Sequence, residues 1–144
     1  MTDHLPLLML IEDDDDHAEL VEFSLEECED PPIVRRVCDG QEALDCLLSD
    51  GGGPQPVLVL LDLNLPKVNG IEVLSQLKAS ETLRTVPVVI LSTSGSARDR
   101  QRAYTNYANA YLVKPTEFEL FSQMIQSVWT FWGTWNQAHS DRVS

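Results

Sequence analysis

Four short apolar runs in this chain each lead into residues that can do chemistry. LLMLI (7–11) is followed by Glu12 and Asp13, VLVLL (57–61) by Asp62, VVIL (88–91) by Ser92, and AYLV (110–113) by Lys114. Apolar runs this short and unbroken suit strands buried on both faces, as in a parallel sheet under helices. In open α/β sheets, ligands bind beyond the C-terminal ends of the strands. Three carboxylates, a hydroxyl and an ammonium are therefore expected to share one rim. Two carboxylates about 5 Å apart repel by roughly 3 kcal/mol at an effective dielectric of about 20. Lys114 supplies one compensating charge. A hard divalent cation would supply the rest, and oxygen-only ligands select Mg²⁺, or Mn²⁺, over zinc. Mg²⁺ shares its ligands readily with phosphate. The set thus reads as a phosphoryl site: a carboxylate nucleophile, a metal, an ammonium and a hydroxyl donor. Asp62 alone could be an Asp that starts a loop, and the others could be solvated strand ends. Their recurrence at four separate strand ends argues against that bland alternative.

The intervening segments must position these residues. Asp14 or Asp15 can cap a helix over about 15–29, with Ala18, Val21, Leu25 and Cys28 as its apolar stripe and Asp30-Pro31-Pro32 as its stop. Ile33 to Val37 reads as a second strand, and its Arg pair suits a sheet edge. Asp39-Gly40 opens a short helix with Ala43, Leu44, Leu47 and Leu48 inward, and GGGPQP (51–56) is a loop before the third strand. A third helix over about 70–79 buries Val73, Leu74 and Leu77. A fourth, over about 97–107, carries Arg98, Arg100 and Arg102, and a last one runs from about Glu117 to Trp135. Five strand–helix pairs give a parallel α/β sheet with right-handed crossovers and helices on both faces. The flavodoxin-like strand order 2-1-3-4-5 fits this pattern.

Composition bounds the alternatives. The 144 residues suffice for one domain with a real core; the core is expected at about 6–135, with a frayed tail over 136–144. The formal net charge of −13 opposes contact with phosphate backbones, so no nucleic-acid partner is expected. No run approaches a membrane span, and no secretory signal is visible in MTDHLPLLML. Cys28, Cys38 and Cys46 match no metal or redox spacing, so reduced, mostly packed thiols and a cytoplasmic location are expected.

The stretches LLMLIEDD, VLVLLDLNLPKVNG, VPVVILSTS and YLVKP, in this order, resemble the receiver domain of two-component response regulators, the CheY-like fold, over nearly the whole chain. LLDLNLP, LSTS and an aromatic C-terminal helix with Phe131-Trp132 are similar to single-domain regulators that partner phytochrome histidine kinases. The resemblance implies that Asp62 accepts a phosphoryl group from a kinase histidine. It implies that Glu12, Asp13, Asp62 and the Asn64 carbonyl hold Mg²⁺, and that Lys114 and Ser92 contact phosphoryl oxygens. Tyr111 takes the place of the switch aromatic, turning inward on phosphorylation, and Pro115 is expected to follow a cis peptide bond. Glu12 for Asp and Ser92 for Thr depart from the commonest pattern but keep the functional groups. The resemblance implies a phosphoacceptor and not a turnover enzyme, with output through protein contacts on the face of helix 4, strand 5 and helix 5. A phosphorelay intermediate or a phosphate sink is the alternative.

Two competing classes fit less well. A dehalogenase-type phosphatase wants a second acid two residues after its nucleophile, where this chain has Asn64. A flavodoxin needs a Ser/Thr-rich phosphate loop after the first strand, where five acids stand here.

In the last helix, Phe118, Phe121, Ile125, Val128 and Trp132 form one stripe expected to pack on the sheet. Leu120, Met124 and Phe131 flank it on one side and Trp129 on the other. That apolar arc is nearly twice the roughly 100° a surface helix needs. A homodimer through Leu120, Met124, Trp129, Phe131 and Trp135 is expected, with the Arg cluster facing Glu117 or Glu119 across its rim.

Overall fold

The computed structural model describes residues 6–49 and 55–137. Most of the GGGPQP loop, the expected tail from 138 onward and residues 1–5 lie outside them. The described elements run β1 (Leu7–Ile11), α1 (Asp15–Glu26), β2 (Ile33–Val37), α2 (Gly40–Leu48), β3 (Leu58–Asp62), α3 (Gly70–Ala79), β4 (Val88–Ser92), α4 (Ala97–Thr105), β5 (Ala110–Val113) and α5 (Phe118–Trp129). A π-helical segment, Thr130–Trp135, continues α5. All strand pairs are parallel, in the order β2-β1-β3-β4-β5 that the sequence pattern predicts.

The period-2 alternation of a strand divides the core in two. Met9, Ile11, Val59, Leu61, Val88 and Ile90 face α2, α3 and α4 with Ala43, Val73, Leu74, Leu77 and Ala103. Leu8, Leu10, Leu58, Leu60, Val89 and Leu91 face α1 and α5 with Val21, Leu25, Phe121, Ile125 and Trp129. Each central strand is thereby buried on both sides, which is why its sequence reads as an unbroken apolar run.

Helices α1 to α4 begin where side chains can satisfy their free N–H groups, whereas α5 has no side-chain cap. Asp14, Asp39, Asn69 and Ser96 each accept a main-chain N–H from three residues on, at His17, Glu42, Glu72 and Asp99. Gly70 opens α3 directly against β3, and a β-carbon there would overlap the Asp62 carbonyl and Leu63 Cα. That close approach sets α3 against the end of the central strand.

Several expectations are corrected. Helix α1 stops at Glu26 and not near 29, with Glu27 as its cap. Helix α4 ends at Thr105, because Tyr107 takes a left-handed backbone (φ 70°) and Ala108 N–H returns to Ala103 O. Leu48 is not inward: it is 38% exposed, at the last turn of a nine-residue helix. Cys38 is exposed just past the edge strand, whereas Cys28 and Cys46 are half-buried. The Lys114–Pro115 bond is not cis, as no cis bond occurs among the described residues. Trans is the lower-energy X–Pro isomer by about 0.5–1 kcal/mol, and the chain enters α5 without leaving it.

The largest correction concerns the C-terminal helix. It does not continue as one α-helix to Trp135, because its pitch widens after Trp129. Trp129 is seated inward, 2% exposed, and its Nε1–H donates to the Asp30 carbonyl at 2.8 Å. Gly133 lies on the indole ring, where any β-carbon would stand 2.6 Å from ring carbons. Trp129 therefore belongs to its own domain's core and leaves the expected dimer surface. Phe118, assigned to the buried stripe, is instead exposed beside Phe23, with ring centroids 6.1 Å apart.

Candidate functional site

Parallel pairing brings the four chemically equipped strand ends to one edge of the sheet. Glu12 follows β1 and is buried, while Asp13 beside it is exposed. Asp62 is the last residue of β3 and Ser92 the last of β4, both buried. Lys114 follows β5 and is also buried.

Lys114 Nζ lies 2.7 Å from Glu12 Oε1 and 3.1 Å from Asp62 Oδ2. One oxygen from each of Glu12, Asp13 and Asp62 falls within 4.8 Å of the others. Burial, together with the neighbouring Asp62, raises the Glu12 carboxyl from the usual range to about 7, against the opposing pull of Lys114. The rim thus holds more negative charge than one ammonium neutralises. The donors are all oxygens, one of them solvent-facing. That chemistry fits a hard divalent cation and does not fit zinc.

Main-chain contacts hold the groups in place. Arg36 Nε and Nη2 donate to the Glu12 carbonyl at 3.1 and 2.9 Å, and its guanidinium pairs with Asp15 at 2.9 Å. The Asn64 N–H donates to Asp62 Oδ1 at 2.9 Å, leaving Oδ2 to the ammonium. The edge-strand arginine thus supports the rim as well as guarding the edge, a role its sequence position did not reveal.

The hydroxyl and the aromatic belong to one connected loop. Ser92 Oγ accepts the Ser94 N–H at 3.0 Å, and Tyr111 Oη donates to the Ser94 carbonyl at 2.8 Å. Tyr111 is therefore turned inward, with its hydroxyl bonded to the loop that follows β4. Sequence reasoning also missed His17, whose Nδ1 stands 3.0 Å from Lys114 Nζ. Its signal was its place three residues after the capping Asp14, on the first turn that opens over the rim.

The set of residues brought together is thus Glu12, Asp13, Asp62 and Lys114, with Ser92 and Tyr111 joined through Ser94 on the adjoining loop. The expected interface residues lie elsewhere, along α5 and the π-helical segment: Leu120 (51%), Phe131 (53%) and Trp135 (72%) are exposed, and Met124 is half-buried. Arg98, Arg100 and Arg102 are exposed, as a solvated face would be. Among the described residues, no helix is long and apolar enough to cross a membrane.

Residues 8–126 match the response regulator receiver domain. A probable methanogenesis regulatory protein, FilR2 of Methanothrix harundinacea, is 45% identical over 134 residues, spanning 92% of this chain and 86% of the relative. The crystal structure of the phosphorylated cyanobacterial phytochrome response regulator RcpA superposes with a TM-score of 0.90 at 34% identity, covering 95% of this chain and all of that one. The Mn²⁺-bound form of response regulator Rcp1, a protein of Synechocystis sp., superposes with a TM-score of 0.88 at 32% identity, covering 94% and 99%.

Proposed function

The chain belongs to the response regulator receiver family, and from that premise we propose that it is a single-domain regulator phosphorylated on Asp62 by a phytochrome-type histidine kinase. The observation that carries this reading is the Lys114 ammonium shared between Asp62 Oδ2 and Glu12 at a rim of three carboxylates. Its likeness to the phytochrome response regulator RcpA supports the choice of kinase. FilR2 is a probable methanogenesis regulatory protein, so co-purification of the kinase is the direct identification.

In this mechanism an Asp62 oxygen attacks phosphorus in line with the kinase histidine. The phosphorus–nitrogen bond breaks, and the imidazole leaves with the bonding pair. Lys114 donates to an equatorial phosphoryl oxygen, and the Asn64 N–H holds the carboxylate in orientation. A divalent cation held by Glu12, Asp13, Asp62 and the Asn64 carbonyl would neutralise charge on the phosphoryl oxygens; Mg²⁺ is the proposed ion and Mn²⁺ an alternative. The protein turns over no external substrate beyond its own phosphoryl transfer and hydrolysis. Its site is cytoplasmic, in keeping with three free cysteines.

Ser92 leaving Ser94 for a phosphoryl oxygen would release the loop that pins Tyr111. The consequence is a population shift on the face made by α4, β5 and α5. That face exposes Tyr104 and Val113 beside the Arg cluster, and suits a downstream protein. Incubation with acetyl phosphate and Mg²⁺ tests the reading: one acid-stable, base-labile phosphoryl group per chain is expected. Continuous turnover without labelling would favour a phosphatase instead. A phosphorelay role would show as onward transfer to a second histidine.

Asp13→Asn is expected to weaken Mg²⁺ binding at least about tenfold, because the substitution removes one of the three carboxylates. The same change relieves repulsion at the rim, so the metal-free variant should melt no lower than the parent. Isothermal titration with Mg²⁺, beside thermal unfolding in chelator, checks both. Unchanged affinity would remove Asp13 from the metal set.

A homodimer through Leu120, Met124, Phe131 and Trp135 is part of the same proposal, with Trp129 withdrawn from it. Three of these four are at least half exposed, and large apolar groups clustered on one surface are unusual for a monomer. Sedimentation at micromolar concentration should give a dimer for the parent and a monomer for the Phe131→Glu, Trp135→Glu variant. A monomeric parent, or a dimeric variant, would refute this interface.

A further inference from the structure

We propose that His17 is a positioning residue for Lys114, holding the ammonium so that one N–H stays directed at Asp62. The proposal rests on the phosphoacceptor reading of Asp62. An ammonium has three N–H donors and no acceptor. Those of Lys114 meet Glu12 Oε1 at 2.7 Å, Asp62 Oδ2 at 3.1 Å and His17 Nδ1 at 3.0 Å. Because the ammonium can only donate, Nδ1 accepts and the imidazole carries its proton on Nε2. The third donor is thus taken by a neutral group, which fixes the direction of the other two without adding charge.

The residue and its ring are each anchored. The His17 main-chain N–H donates to the Asp14 carboxylate at 3.0 Å, which fixes the backbone on the first turn of α1. Its ring lies against Phe121 of α5, with centroids 6.3 Å apart and planes inclined by 35°. Phe121 is buried in the core between α1, α5 and the sheet, so the ring has a rigid backing. Lys114 has four side-chain carbons and would otherwise swing between the carboxylates. Clamped by His17, it presents an N–H where a phosphoryl oxygen on Asp62 would stand, and little reorganisation is left for the transfer.

The test compares His17→Leu, which keeps bulk against Phe121 but removes the acceptor, with His17→Asn, whose Oδ1 stands near the position of Nδ1. The rate of labelling by acetyl phosphate and Mg²⁺ should fall about tenfold in His17→Leu and return to within about twofold of the parent in His17→Asn. Mg²⁺ affinity should match the parent in both, since His17 is outside the carboxylate set. Nitrogen NMR of the metal-free parent should show a bare Nδ1 and a protonated Nε2, with a shift at Nδ1 in Lys114→Met. His17→Leu labelling at the parent rate, His17→Asn as slow as His17→Leu, or a proton on Nδ1 would each overturn the proposal. A parent that takes no label would overturn the phosphoacceptor reading, and this proposal with it.

Discussion

Asp62→Asn should reduce labelling by acetyl phosphate to background while leaving the fold intact. The amide keeps the shape of the carboxylate but cannot form the acyl phosphate at its nitrogen under these conditions, and it lacks the charge that makes the oxygen a nucleophile. Most of its environment should survive the change; the exception is the Lys114 contact, where the amide nitrogen replaces Oδ2 and donor faces donor. The amide oxygen can still accept the Asn64 N–H, as Asp62 Oδ1 does at 2.9 Å. Lys114 keeps its 2.7 Å pair with Glu12, so no buried cation is stranded. One negative charge fewer at the rim also lowers the repulsion that raises the Glu12 carboxyl. The relieved repulsion offsets the lost Lys114 contact, so the metal-free variant should unfold in urea close to the parent's midpoint. Intact-mass spectrometry after incubation checks the labelling, and circular dichroism checks the fold. Full labelling of a folded Asp62→Asn protein would move the acceptor to one of the acids at 12 to 16.

Trp129→Ala should cost about 3–5 kcal/mol of stability, the range for deleting a buried large aromatic. Three losses coincide. The indole leaves the core it shares with Leu25, Phe121, Ile125 and Val128. The Asp30 carbonyl loses its donor at the turn between α1 and β2. Gly133 loses the ring it packs on, so the π-helical segment loses its support. For a chain of this size the melting temperature should fall by roughly 6–20 °C. Trp129→Phe should recover much of the burial and still leave the Asp30 carbonyl unpaired, a residual cost of about 1–2 kcal/mol. Trp135→Ala is the surface control, expected within about 0.5 kcal/mol of the parent. Urea denaturation of the three variants decides it. If Trp129→Ala unfolds with Trp135→Ala, the indole is not seated as described.

Residue types at strand ends made much of the site legible before any fold was known. A buried strand in a parallel sheet has both faces covered, so Leu58 to Leu61 can only be apolar, and the first polar residue marks the rim. Glu12, Asp62, Ser92 and Lys114 were found this way. The start of α1 was legible for a similar reason, since a capping Asp is favoured just before the first turn, whereas α5 begins after Glu117 with no side-chain cap. His17 and the support from Arg36 were not legible. Each lies on one element and acts on a group from another, and His17 meets Lys114 across 97 residues.

Apolar periodicity tells which residues can be buried, and it cannot rank neighbouring candidates on one helix. Trp129 and Phe118 show the limit. Both stand on α5, and the heptad-like spacing favoured Phe118 for the core. Trp129 won because the turn at Asp30 offers its indole N–H an acceptor and Gly133 leaves room for its ring. Phe118 stayed at the surface beside Phe23. The sequence by itself determined the five alternating strand–helix pairs, the parallel sheet and the charged strand ends. Those features follow from local burial period and from the chemistry of single residues. Only the tertiary structure decided which aromatic enters the core, that the Tyr111 hydroxyl reaches the Ser94 carbonyl, and that a histidine shares the ammonium of Lys114. Each of these depends on hydrogen-bond partners and free space supplied by chain segments far away in sequence.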